Sequence, residues 1–191
     1  MTGFAELAAL SNFTFLDGAS HPQELVAQAK ALGHAAIGIA DRNSFAGLVR
    51  GTIAARKEGI RFVPGARVTL PGGYEYLAWP TDRAAYGRLA RLLSEGRMHA
   101  PKGACHIPRD ALIAAADGMV LGLVPPDAPD DGFAERLARD ATALRRHLAL
   151  PLFCAAQHRF RGDDRKRLDR LAAMRGQDLV RPRPHKPSVA N

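Results

Sequence analysis

Seven histidines, nineteen carboxylates and two cysteines are the side chains of this sequence that could hold a metal ion or move a proton. A cluster of imidazoles and carboxylates would bind a divalent cation and lower the pKa of its water. Asp41 directly ends the apolar run "AAIGIA" (35–40), which is a plausible ligand position at the end of a buried strand. The same residue opens "DRNSF", where Asp, Asn and Ser together suit a cap or turn equally well. His158 closes a later apolar run, "PLFCAA" (151–156), and is the best single histidine candidate. His21 and His34 flank a helix, His99 and His106 fall in an irregular stretch, His147 sits on a long helix and His185 lies in the tail. No pair shows HxH, HxxxH or HExxH spacing, so no dedicated metal cage is visible. Cys105 and Cys154 have no CxxC spacing and read as two reduced thiols.

The elements that would carry these residues alternate. Apolar runs at 4–10, 35–40, 60–70, 74–80, 118–126 and 151–156 read as strands. The run at 60–70 stalls at Pro64-Gly65, and Pro71-Gly72-Gly73 makes a hairpin turn to an antiparallel partner. Between them lie helical patterns. The first is "HPQELVAQAKALG", with Ser20 as candidate cap, Leu25, Ala29 and Leu32 on one face, and Gly33 as its stop. The span 44–59 places Phe45, Leu48, Ile53 and Ala54 inward, and 82–97 does the same with Tyr86, Leu89, Leu92 and Leu93. Shorter or longer helices follow at 108–117, 131–150 and 163–176. Strands alternating with helices of this length call for a largely parallel sheet covered by helices. An α/β barrel and an open doubly wound sheet both fit. The absence of GxGxxG and GxxxxGK[ST] removes the main support for a nucleotide-binding open sheet.

Composition places the chain among globular proteins, with 47% hydrophobic residues over 191 positions. No basic leader and no run near the ~20 apolar residues of a membrane span occurs, so a cytoplasmic, membrane-free protein is expected. The net charge is +8, of which Arg181, Arg183 and Lys186 supply three. That balance suits work near nucleic acid, but a solvated arginine-rich helix face explains it as well.

The stretch "FAELAALSNFTFLDGASHPQELVAQAKALGHAAIGIADRNSFAGLVRGTIAARKEGIRFVPGARV" resembles the start of a PHP (polymerase and histidinol phosphatase) domain. More narrowly, it is similar to the PHP domain that opens bacterial error-prone DNA polymerases of the C family, relatives of the polymerase III alpha subunit. "YGRLARLLSEGR", "GLVPPD" and "PLFCAAQHRFRGDDRKRLDRLAAM" agree, so the resemblance runs from Phe4 to about Val180. It implies a distorted (β/α) barrel of seven strands, incomplete here at its C-terminal end. It also implies a PHP-like domain over 1–180, while the tail over 181–191 is Pro-rich and basic, does not join a packed core easily and is expected to be disordered.

In intact members the strand ends carry His, Asp and Glu ligands for up to three metal ions. This sequence departs from that pattern. The two histidines of the first motif fall on Ala8 and Leu10, the histidine of the Asp-His motif on Arg42, and a later glutamate on Arg67. Asp41 and His158 are the vestigial ligands, and the final Asp-x-His motif is replaced by "VRPRPHKPSVAN". An arginine about 4 Å from an ion costs ~4 kcal/mol per unit charge at an effective dielectric of ~20. The expectation is therefore no metal, no other cofactor and no catalytic residue, with Asp41 paired instead to Arg42 or Arg67.

The function expected is that of a truncated PHP domain of an error-prone polymerase subunit. Its role would be structural, in DNA replication and translesion repair. Its partners would be a polymerase core or other repair and replication proteins, and DNA only indirectly. The alternatives are a stand-alone metal-dependent phosphoesterase built on Asp41 and His158, or a non-catalytic interaction module.

Overall fold

The computed structural model describes residues 3–157 and 161–175. In chain order they form β1 (Ala5–Ala9), α1 (Pro22–Ala31), β2 (Ala36–Ile39), α2 (Leu48–Glu58), β3 (Arg61–Pro64), β4 (Ala66–Thr69) and β5 (Glu75–Pro80). These are followed by α3 (Arg83–Met98), α4 (Arg109–Ala115), β6 (Met119–Val124), α5 (Asp131–Leu144), β7 (Phe153–Cys154) and α6 (Asp164–Arg175).

β1, β2 and β3 make a parallel sheet in that order. All four residues of β2 are buried, as expected for a strand covered on both faces. A second sheet has the order β4-β5-β6-β7, with two antiparallel pairings and a parallel one at β6–β7. The two sheets run into one another. Past Ile39 the chain continues alongside β4: Gly65 N donates to Ile39 O at 3.1 Å, Arg67 N to Asp41 O at 3.1 Å and Asn43 N to Arg67 O at 2.8 Å. An isolated bridge therefore sets Arg42 beside Arg67.

The stall at Pro64-Gly65 has a packing cause. A Cβ at Gly65 would lie 2.8 Å from Trp79 Cδ1, so only glycine lets the β5 indole lie flat against the chain there. That indole reaches both ends of the strand order. Its Nε1 donates to Leu7 O in β1 at 2.9 Å, and its ring stacks on Phe153 of β7 with centroids 5.9 Å apart. The strands thus curl into an open α/β barrel whose end strands approach each other.

Two layers of core flank the strands. Val26 and Ala29 of α1 and Ala55 of α2 close on Ile37 and Ile60. Leu89, Leu92 and Leu93 of α3, Leu112 of α4 and Leu137 of α5 cover Val68, Tyr76, Leu121 and Leu123 of the second sheet.

Several local expectations are corrected. α1 starts at Pro22 with His21, not Ser20, as its cap residue, and Glu24 Oε2 accepts from His21 N at 2.8 Å. Leu32 and Ile53, expected inward, are exposed. α2 begins at Leu48 rather than residue 44, because Ser44 Oγ accepts from Ala46 N and holds 44–47 in a turn. α5 ends at Leu144. The hairpin at 71–73 forms as expected, with Gly72 and Gly73 both at positive φ. His158 and the tail 181–191 lie outside the described residues. Among those residues no helix is long and apolar enough to cross a membrane.

Candidate functional site

The loops that follow β1 and β2 meet around Asp41. This carboxylate is 1% exposed and ends the buried strand, so the strand's own burial fixes its position. Oδ1 accepts from Ser11 N and from Thr14 Oγ1, both at 2.8 Å. Oδ2 accepts from Ser11 Oγ at 2.7 Å. Thr14 Oγ1 in turn accepts from Arg42 N at 3.0 Å, which ties the residue after Asp41 into the same knot.

The loop is closed from its own side as well. Asn12 N donates to Ser20 O at 2.9 Å, and Gly18 N donates to Thr14 O at 2.9 Å. A Cβ on Gly18 would lie 2.0 Å from Ser11 O, so the Asp17-Gly18 turn admits no side chain at its second position. Gly47 closes the far side: a Cβ there would lie 2.6 Å from Asp41 Oδ2 and 3.0 Å from Ser11 Oγ.

Asp41 does not pair with Arg42 or Arg67, which corrects the sequence expectation. Both arginines turn to Glu75 at the start of β5. Arg67 Nη1 stands 3.1 Å from Glu75 Oε2, and Arg42 Nε 3.3 Å from Glu75 Oε1. Arg42 also reaches Asp17 Oδ2 at 2.8 Å. Hydrogen bonds to hydroxyls and an amide therefore satisfy Asp41, while two other carboxylates, Glu75 and Asp17, take the two arginines. Nor does Asp41 cap a following helix; its acceptors all point back to the loop after β1.

Ala8 lies in β1 and Leu10 one residue past its end, where the family pattern would set imidazoles, and neither side chain donates an electron pair. Among the described residues no three His, Cys, Asp or Glu side chains converge as a metal-ligand set. A divalent ion would meet an unfavourable setting among the described residues. The carboxylate it would need already accepts three hydrogen bonds, and two guanidinium groups hang from the neighbouring strand ends.

Sequence reasoning missed Glu75, Ser11 and Thr14. Glu75 was legible in principle, since the 71–73 turn sets Thr69 opposite it and Arg67 one pleat further along the same face. A second polar cluster was not legible. Asp140 on α5, 1% exposed, takes Arg109 Nη2 at 2.6 Å and Arg136 Nε at 3.4 Å, and the Tyr76 hydroxyl donates to its Oδ2. Burial, then the bond to Asp140, pushes the Tyr76 hydroxyl well above the ordinary tyrosine range. This cluster lies in the layer between sheet and helices and ties α4 and α5 to β5. A third arginine, Arg167 of α6, is buried and donates to the carbonyls of Pro126 and Asp127 after β6 and Gln157 after β7 at 3.0–3.2 Å.

The PHP domain model matches residues 7–150. An error-prone DNA polymerase of Caulobacter vibrioides is 44% identical over 172 residues, which is 90% of this chain and 16% of that protein. One from Brucella abortus biovar 1 is 43% identical over 183 residues, 93% of this chain and 17% of its own length. The chain thus spans about one sixth of these relatives. Among solved structures, an amidohydrolase from Chromobacterium violaceum superposes with a TM-score of 0.67 at 16% identity, covering 90% of this chain and 84% of that one. A protein described as a metal-dependent phosphoesterase, from Bifidobacterium adolescentis, gives 0.58 at 19% identity, covering 91% and 84%. At these identities the structural likeness is one of fold.

Proposed function

The chain belongs to the PHP domain family, and from that premise we propose that it is the PHP domain of an error-prone-polymerase type subunit, with a metal site converted to a structural knot. Its role is to hold shape beside a polymerase core engaged in DNA synthesis past lesions. It binds no catalytic metal and touches DNA only through that core.

The observation that carries this reading is the state of Asp41. Both of its oxygens are engaged by Ser11 and Thr14, so the one family carboxylate left among the described positions has become a fastener between two loops. The substitutions at Ala8, Leu10, Arg42 and Arg67 support the same reading. Alanine and leucine offer no ligand, and fixed positive charge repels a dication. The 43–44% identity to error-prone polymerases over most of the chain supports the polymerase setting.

Elemental analysis of the purified chain after equilibration with Zn²⁺ or Mn²⁺ tests it, alongside hydrolysis assays on a nitrophenyl phosphodiester and single-stranded DNA. The expected result is no stoichiometric ion and no hydrolysis above background. One or more tightly held ions per chain, with hydrolysis lost in a folded Asp41→Asn variant, would overturn it in favour of a stand-alone phosphoesterase.

A further inference from the structure

Pro125 and Pro126 follow β6 and carry no N–H, so two successive positions of that loop offer acceptors without donors. Their carbonyls go to one side chain of α6. Arg167 Nη2 donates to Pro126 O at 3.0 Å and to Pro125 O at 3.4 Å, and Nε donates to Asp127 O at 3.1 Å. Nη1 donates to Gln157 O, after β7, at 3.2 Å. Arg167 is 7% exposed, so its guanidinium sits inside a cage of carbonyls drawn from two loops. The other side chains of α6 hold it less. Leu171 is buried and Leu168 and Met174 are partly so, while Arg165, Lys166, Asp169 and Arg170 are exposed. β6 and β7 run in the direction of β2, through the parallel Arg42–Arg67 bridge and two antiparallel pairings. The loops that follow them therefore lie at the same end of the barrel as Asp41.

We propose that α6 is a strap: α6 and the loops after β6 and β7 open and close as one unit on the Arg167 guanidinium, while the strands around Asp41 stay folded. The reason is a shared dependence. If α6 lifts, the carbonyls of Pro125, Pro126, Asp127 and Gln157 lose their donor together, and buried acceptors without a donor do not hold their place. If either loop moves first, the guanidinium loses part of its cage and α6 loses its buried polar anchor. A twelve-residue helix is marginal in water without such anchors, so the two events are coupled. Local opening is drawn from regions that bury few apolar side chains, and α6 with the two-residue β7 is such a region among the described residues. The Asp41 knot has separate partners, Ser11 and Thr14, and does not share this fastener. The device stands apart from the metal and polymerase readings above and does not depend on either.

Amide hydrogen exchange of the full chain tests the coupling, read in α6 and at Ala155, whose N–H donates to Leu123 O at 2.9 Å. Three substitutions disturb the unit at three places. Arg167→Lys removes the fastener, because an ammonium cannot span both loops. Leu171→Ala loosens α6 without touching either loop, and Pro126→Gly loosens the loop after β6 without touching α6. Arg167→Lys should speed exchange about tenfold both in α6 and at Ala155. Each of the other two should speed it about threefold at both places, and they carry the test if Arg167→Lys fails to fold. Exchange in α1 and β2 should change less than about twofold throughout. Arg161→Ala, which removes an exposed pair with Asp127 at 3.1 Å, serves as the control and should leave all segments unchanged. A response confined to the disturbed element would overturn the proposal, since α6 and the loops would then open independently. An equal rise in every segment would overturn it too, since Arg167 would then be one more part of global stability.

Discussion

Asp41 and Ser11 are joined twice across thirty residues of sequence, by the Ser11 amide at 2.8 Å and the Ser11 hydroxyl at 2.7 Å. This pair fastens the loop after β1 to the end of β2. Both ends of the contact are buried, Asp41 at 1% exposure and Ser11 at 0%. Asp41→Ala would strand two buried hydroxyls and an amide without their acceptor. The expected loss is about 3 kcal/mol, within the range for removing one side of a buried charged hydrogen-bond group. Asp41→Asn keeps one acceptor and should cost roughly half as much. Urea unfolding measures both. If instead Asp41→Ala leaves stability unchanged, the carboxylate is not the fastener its geometry indicates.

Gly47 sits against this knot with an ordinary helical backbone, φ −78°, so its requirement is one of space rather than conformation. A methyl there would approach Asp41 Oδ2 to 2.6 Å. Gly47→Ala should therefore destabilise by about 1–3 kcal/mol, the usual cost of overpacking, although alanine is the better helix former. Thermal unfolding of Gly47→Ala beside Gly87→Ala makes the comparison, since a Cβ at Gly87 meets nothing within 4 Å. The second change should be neutral or stabilising.

Arg67 shares Glu75 with Arg42, and its own Nε is buried without an acceptor among the described residues. Removing its charge relieves that orphan while Arg42 keeps Glu75 compensated. Arg67→Met should change stability by less than about 1 kcal/mol. Arg67→Glu places like charges on one face of the β4–β5 hairpin and should cost more. It should not by itself create a metal site, because Asp41 stays committed to Ser11 and Thr14. Denaturation midpoints and metal titration of the two variants check both statements.

What was legible in the sequence is what local chemistry dictates. The βα alternation, the break at Pro64-Gly65 and the Pro71–Gly73 hairpin each follow from residues close together in the chain. The reading of Ala8, Leu10, Arg42 and Arg67 as former ligand positions rests on family resemblance alone, since no local pattern marks them. The partners of Asp41 were misread because sequence adjacency favoured Arg42, whereas β2 ends with the carboxylate turned toward Ser11 and the guanidinium toward Glu75. Ile53 and Leu32 were misplaced because a helical apolar stripe gives a face without saying where the cover ends. The Tyr76–Asp140 contact joins a strand to a helix 64 positions away, and no local pattern encodes it.

That contact gives a pH dependence of defined sign. The Tyr76 hydroxyl is buried and bonded to Asp140, so its folded pKa lies well above the ~10 of an exposed tyrosine. A group whose folded pKa is raised contributes its stabilisation in full below the unfolded value and loses it as pH rises toward the folded one. Between pH 10 and 12, then, the wild-type chain should lose up to ~1.4 kcal/mol per pH unit through this one group. Tyr76→Phe removes that dependence. It should be less stable at pH 7, by about 1–2 kcal/mol for the lost hydrogen bond to a carboxylate, and fall less steeply in alkali. Asp140 keeps Arg109 and Arg136, so the variant should still fold. Urea midpoints of the two proteins at pH 7, 10 and 11.5 decide the matter: parallel curves above pH 10 would mean that Tyr76 ionises no later in the folded chain than in the unfolded one.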